Sequence, residues 1–416
     1  MGLIDPSVAF VVSLCFLLVM LYKRVNLGIT LNATALLLAL LSLDWQDIPT
    51  IIYQTTTDVL TVAVVFATFG IMLLSQLYKE TKVINNLSES VSRMINNPRI
   101  VASVLPAVIG LLPVAGGALM SAPLVDSEAE KLGLKPEKKA YVNVWFRHTI
   151  FPVYPLSQVL IVTSALTGIA IPLIMARQVP VVVVMVIVGY LIGFWKVPHL
   201  EKGKNLNLRN SSALDADLKR FLIAFSPILA TIIVVVGVDG ISPSLAGQGL
   251  DVSVATLAGI FLLIMIAKPN IHVLAKPLKR WEVYGITAAA FGAFLLRKVT
   301  IAAGISEIFR TLVISGSVDV ILMLTAVPAL LGFITGSPSG GVAISVPILA
   351  GLLTFSPSTV ALLYMSAYLG YLIVPTHLCF VFTVDYFKCS MSRLYRDVIP
   401  SFIITFVMAL LVYFLV

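Results

Sequence analysis

Long apolar runs separated by short polar clusters set the pattern of this chain. Residues 8–22, 28–43, 57–77, 178–196, 218–238, 253–267, 283–297 and 398–416 are nearly continuous apolar stretches. Each crosses, or nearly crosses, a hydrocarbon layer about 30 Å thick at about 1.5 Å per helical residue. Two longer runs, 141–176 and 358–386, contain prolines and read as single crossings broken midway. The runs are continuous rather than alternating, which excludes a β-barrel. They predict an all-α polytopic membrane protein with ten crossings. Asp5 and the lack of a basic segment before the first run predict that it is a crossing and not a cleaved signal.

Two further apolar pairs, near 99–126 and 318–354, read as re-entrant helical hairpins, the first entering from the cytoplasm and the second from outside. After Gly117 only residues 118–124 are apolar before a charged run begins at Asp126. About nine helical residues rise ~13 Å, less than half the hydrocarbon thickness, so this arm turns back. The turn falls at Pro113-Val114-Ala115-Gly116-Gly117. The second pair turns at Gly336-Ser337-Pro338-Ser339-Gly340-Gly341; its arms are longer, and its re-entrant character rests on an internal repeat.

That repeat is visible twice. Ala67-Thr68-Phe69-Gly70 recurs as Ala289-Ala290-Phe291-Gly292, and Gly116-Gly117-Ala118-Leu119-Met120-Ser121 recurs as Gly340-Gly341-Val342-Ala343-Ile344-Ser345, at offsets of 222 and 224. Two matches in order at nearly one offset define two halves, residues 1–197 and 218–416, joined by a cytoplasmic linker at 198–217. Each half holds five crossings and a broken helix. An odd number makes the second half enter from the opposite face, an inverted-topology repeat. Between the third crossing and the first hairpin, Val83, Leu87, Val91 and Met94 stand at helical spacing opposite Glu89 and Arg93; residues 299–316 repeat the pattern. Both read as amphipathic helices lying in the interface plane.

Composition agrees: 59% of residues are apolar and 12% charged, against about 25% charged in soluble domains. The net charge of +8 is spread over short loops, which is an orientation signal and not a nucleic-acid surface. Arg177, Arg297, Lys298 and Arg310 fall on one side and the other 24 of the 28 Lys and Arg on the other. The richer side is cytoplasmic, so both termini are extracytoplasmic in a multi-pass plasma-membrane protein. Cys15, Cys379 and Cys389 lie in or beside apolar runs without pairing pattern, and read as filler; no metal, disulfide or cofactor is expected.

The chemistry concentrates at the tips and breaks. Glycines let a ligand approach the main chain, and the start of each returning arm offers free N–H groups at the positive end of a helix dipole. Ser121 and Ser345 begin the return arms, and Ser337 and Ser339 add hydroxyls. The first break spans Trp145 to Gln158, with Pro152 and Pro155; the second spans Gly370 to Cys379, with Pro375. Broken helices free carbonyls for Na⁺ and N–H groups for an anion. Arg147, His148 and His377 are ionisable groups inside spans, with His377 read as a hydrogen-bond donor or proton carrier. Snorkelling of Arg147 and a neutral, backbone-bonded His377 are the open alternatives. Asp58, Asp126, Asp319 and Asp385 lie toward segment ends, so the set favours an anion over a cation. The candidate substrate-binding residues are Pro113, Ala115, Gly116, Gly117, Ser121, His148, Tyr154, Ser157, Gln158, Ser337, Ser339, Gly340, Gly341, Ser345, Thr376 and His377. An HExxH motif, paired intramembrane aspartates and a Ser/His pair at recognised spacing are all lacking, so no enzyme is expected.

The paired tips and the Val374-Pro375-Thr376-His377-Leu378-Cys379 break resemble the ion transporter superfamily, above all its gluconate permease-like branch and uncharacterised prokaryotic relatives. The resemblance implies a homodimer with scaffold helices at its interface and mobile transport domains moving elevator-fashion on interfacial arms. It also implies co-transport of a small organic anion with H⁺ or Na⁺, bound near Gly116, Ser339, Tyr154 and Thr376. The sodium-dicarboxylate members carry Ser-Asn-Thr signatures at their tips, which this chain lacks, and proton coupling gains weight accordingly. The expected function is an ion-coupled secondary transporter of a small carboxylate. A transporter or flippase of a phosphorylated or lipid-linked anion is the alternative.

Overall fold

Prolines and short polar caps set the helix ends. The computed structural model describes residues 2–112, 117–197, 211–242, 249–305, 311, 319–350, 353–375 and 377–415. Its helices are α1 (Pro6–Tyr22), α2 (Leu27–Ser42), α3 (Asp47–Thr57), α4 (Val59–Glu80), α5 (Val83–Met94), α6 (Pro98–Gly110), α7 (Gly117–Lys131), α8 (Pro136–Arg147), α9 (Gln158–Thr167) and α10 (Ile171–Gly193). After residues 198–210 come α11 (Ser211–Ile241), α12 (Leu250–Ala267), α13 (Ile271–Leu278), α14 (Trp281–Ala302), α15 (Val320–Thr335), α16 (Pro338–Leu349), α17 (Pro357–Leu372), α18 (Leu378–Phe387) and α19 (Met391–Leu415). Asp5, Asn26, Asp58, Asn97, Asn270 and Asp319 each accept a backbone N–H at a helix start.

Among the described residues, seven segments are long and apolar enough to cross a bilayer. The chain is a multi-pass helical membrane protein. The three other expected crossings correspond to α1 with 17 residues, α2 with 16, and the interrupted pair α17–α18 with 16 and 10. Element order recurs along the chain. Val59–Glu80 and Trp281–Ala302 both hold 22 residues, and each is followed by a helical pair and a broken helix.

Several expected boundaries move. The fourth crossing does not run to residue 176: Gly168, at φ +75°, ends α9, and Pro172 stands in the first turn of α10. An L side chain is strained at that φ, so glycine sets the turn, while the apolar run continues across it and hides it. Arg177 therefore lies inside α10 rather than in a loop. Likewise α11 starts at Ser211, so the last part of the expected 198–217 linker is helical. Of the two interfacial helices, α5 buries Val83, Leu87 and Val91 and exposes the Glu89–Arg93 pair at 3.1 Å. The second falls largely on residues 306–310 and 312–318, outside the described residues. The short helices α3 and α13 were not expected.

The helices sort into two groups. In one, α2 packs on α14, α4 on α12 and α14, and α11 on α12. Asn32 ties α2 to α14, its Nδ2 donating to Gly28 O at 2.7 Å and Ala288 O at 2.9 Å; Tyr78 on α4 donates to Ala224 O on α11 at 2.9 Å. In the other group, α7 packs on α8 and α18, and α16 packs on α17 and α9. Each hairpin therefore touches the first part of its own broken helix and the second part of the other. Backbones come very close here: a Cβ on Gly332 of α15 would collide with Ala367 O on α17, and one on Gly370 with Ala329 O. Small residues give this contact because lipid supplies no hydrophobic drive between helices. The groups meet where α14 touches α16 and α4 touches α9.

Candidate functional site

Two breaks and one hairpin converge on a single guanidinium. Proline has no N–H to donate, and Pro152 and Pro155 end the ladder of α8, which gives way to a 3₁₀ turn at Phe151–Val153 before α9 begins. Pro375 does the same between α17 and α18. Arg147, the last residue of α8, is 3% exposed. Its Nη2 donates to Leu112 O at 3.5 Å, and Nη1 has no hydrogen-bond partner among the described residues. No carboxylate of the described residues stands within ion-pair distance of it. The fork lies against Gly117, where a Cβ would meet Arg147 Cζ at 2.5 Å and Nη1 at 2.8 Å. The absence of that Cβ is what lets the charge reach the start of α7.

Around Arg147 stand two buried imidazoles, 4.8 Å apart between ring centroids and nearly perpendicular. His148 Nδ1 lies 2.6 Å from Val144 O; a carbonyl only accepts, so Nδ1 carries the hydrogen and Nε2 the lone pair. His377, at the N-cap of α18, has Nε2 2.6 Å from the Tyr371 hydroxyl, and its Nδ1 has no partner among the described residues. Tyr368 donates to His148 O at 2.6 Å and so links the two breaks directly.

The sixteen residues expected at the site separate. Gly117, His148 and His377 gather at Arg147. Ser157 is the buried N-cap of α9 and Gln158 its half-buried first residue, while Tyr154 is buried in the turn before them. Ser337 caps α16, accepting from Gly340 N at 3.3 Å; Ser339 is half-buried in its first turn. Gly340 closes on the Thr335 side chain, and Gly341 on Gly332 and Ala367. Ser121 and Ser345 turn inward: Ser121 donates to Asn143 Oδ1 at 2.6 Å and Ser345 to Gly341 O at 2.6 Å. Both hydroxyls thus donate within the packed helices. Pro113, Ala115, Gly116 and Thr376 lie outside the described residues.

Asn143 escaped the sequence reading, since one amide in an apolar helix carries no pattern. Fully buried, it accepts from Ser121 and donates to Ala118 O and to Thr383 Oγ1, both at 3.0 Å, joining α7, α8 and α18. Asn143→Leu should strand these partners and cost about 1–3 kcal/mol. A thermal melt in detergent should show a transition several degrees lower, and an unchanged melt would mean the network is not holding the three helices.

The fold is similar to those of solved helical membrane proteins. The chain belongs to the family described as Protein of unknown function (DUF401), which matches residues 6–416. The Alcanivorax borkumensis YdaH transporter, described as having an unusual topology, is similar at 15% identity and a TM-score of 0.63, with 98% of this chain and 97% of that one covered. Neisseria gonorrhoeae MtrF is similar at 12% identity and a TM-score of 0.51, covering 88% and 83%. At such identities the likeness is one of fold. Comparison with curated protein sequences finds no match. These findings liken the fold to that of two solved transporters and lend nothing to the gluconate permease-like branch.

Proposed function

We propose that the protein is a secondary active transporter, not an enzyme, whose cargo is a small organic anion such as a carboxylate, held at Arg147 and moved with H⁺ or Na⁺. The observation that carries this is the buried guanidinium without a carboxylate partner among the described residues. A buried, uncompensated charge costs several kcal/mol. A chain keeps one where a ligand supplies the counter-charge, and planar Arg suits a carboxylate. The N-termini of α7 at Gly117 and α18 at His377 add N–H groups and the positive ends of two dipoles. The expected tip residues Pro113, Ala115 and Gly116 and the break residue Thr376 lie outside the described residues. Tyr154, Ser157, Gln158, Ser337, Ser339, Gly340 and Gly341 form the site's counterpart in the other half.

The transport cycle follows from symmetry. Halves 1–197 and 218–416 form an inverted repeat with both termini extracytoplasmic in the plasma membrane. The exchanged packing, α7 on α18 and α16 on α9, supports a two-fold relation between them. The hairpin arms are short; α16, at 12 residues, rises about 18 Å, which supports re-entry. Ion pairs support the sidedness. Arg280 and Lys276 meet Glu80 at 2.7 and 3.3 Å, and Lys138 meets Asp397 at 2.7 Å, all within the side that the charge rule makes cytoplasmic. The two helix groups read as scaffold and mobile domain, the former making a homodimer, the latter an elevator-type carrier. YdaH is a transporter and MtrF belongs to a class of antimetabolite efflux pumps, which supports transport and leaves direction to the driving gradient.

The test is current from purified protein in liposomes on a solid-supported membrane, across a panel of small organic anions under imposed Na⁺ or pH gradients. A saturable current with one anion class and one ion supports the reading and identifies the coupling. Currents that never saturate point to a channel, and silence with every anion, together with no tracer exchange, overturns it.

A further inference from the structure

Cys379, which reads from sequence as filler, is brought by the second break against the two histidines. Ligand atoms of His148, His377 and Cys379 all lie within 4.8 Å of one another. We propose that these three residues form a buried Zn²⁺ site that pins one helix break to the other, a binding site separate in its chemistry from the anion's hold on Arg147. Two imidazole nitrogens and a thiolate are a donor set that zinc favours, with the fourth tetrahedral position left open.

The supporting shell is already built. A metal-bound imidazole usually donates its other N–H to a carbonyl or hydroxyl, which fixes the tautomer. His148 does so through Nδ1 to Val144 O at 2.6 Å, presenting Nε2. His377 pairs Nε2 with the Tyr371 hydroxyl at 2.6 Å, and its Nδ1 is buried without a hydrogen-bond partner among the described residues although the residue is only 4% exposed. In the tautomer whose Nε2–H donates to the Tyr371 hydroxyl, Nδ1 presents its lone pair to a metal. Ligand atoms around tetrahedral zinc, with bonds of about 2.0–2.3 Å, stand ~3.3–3.8 Å apart, so small rotations of side chain close the site. Cys379 is partly buried. Binding replaces the thiol proton with the metal, the proton leaving to solvent, and neither sulfur nor zinc changes oxidation state.

Full-length protein, purified in detergent and stripped with chelator, is titrated with Co²⁺ alone and then with Zn²⁺ as competitor. One Co²⁺ per chain should bind with tetrahedral d–d bands and a sulfur-to-cobalt charge-transfer band, and Zn²⁺ should displace it. Cys379→Ser should remove the charge-transfer band and weaken Zn²⁺ at least about tenfold. His377→Gln should weaken it similarly while keeping the band. Each variant is first shown to elute as a single species; should Cys379→Ser fail that check, His377→Gln and His148→Gln carry the test. Uptake well below one ion per chain, or wild-type affinity in the histidine variants, overturns the site.

Discussion

Arg147→Gln should weaken the transported anion's binding by about 2–5 kcal/mol, a loss of ~30-fold to several thousand-fold, and leave the fold at least as stable. The two effects have opposite sign for one reason. The guanidinium is 3% exposed and donates to Leu112 O at 3.5 Å, and its Nη1 has no hydrogen-bond partner among the described residues. Removing it relieves an uncompensated buried charge, so the melting temperature should hold or rise. In the loaded protein the same group supplies the anion's counter-charge, and its loss leaves a carboxylate buried without one. Arg147→Lys keeps the charge but not the planar fork, and should recover only part of the affinity. Substrate-triggered current on a solid-supported membrane reads the binding side, and a melt in detergent reads the other. Full current from Arg147→Gln at unchanged substrate concentration would remove the guanidinium from the site.

What the sequence disclosed, and what it hid, follows from the range of the interactions. Periodicity and proline act over a few residues. The long apolar helices were therefore legible, and so were the interruptions at Pro152, Pro155 and Pro375, as well as the amphipathic face of α5. Turns set by one glycine inside an apolar run were not, and Gly168 moved a boundary for that reason. The helices α3 and α13 are too short, at 11 and 8 residues, to stand out by period. The pairing of His148 with His377 depends on how two distant breaks cross, which no local pattern encodes. What the hydroxyls of Ser121 and Ser345 donate to, Asn143 Oδ1 and Gly341 O, is equally a matter of packing that sequence spacing does not encode.

Two glycine contacts around Arg147 yield the sharpest separation of function from stability. Gly110 on α6 faces the backbone oxygen of Arg147, as Gly332 on α15 faces that of Ala367. Both are glycines against a backbone carbonyl, and only the Arg147 contact brings a charge with it. Arg147 is flanked by two glycines that meet different parts of it. At Gly117 an added Cβ runs into the flexible end of the side chain, at Cζ and the Nη atoms; at Gly110 it lies 2.5 Å from the main-chain oxygen. A guanidinium can swing aside, whereas backbone in a packed hairpin cannot move without moving α6 or α8. Gly117→Ala should therefore leave the melting temperature nearly unchanged and lower anion affinity at least about tenfold, because the fork is pushed off the start of α7. Gly110→Ala should cost about 1–3 kcal/mol of stability through overpacking, with a lower melt and reduced yield. Measured together in detergent melts and liposome currents, the pair has a defined failure. If Gly117→Ala destabilises as much as Gly110→Ala, the guanidinium is wedged as structure rather than poised for a ligand, and the anion site must lie elsewhere.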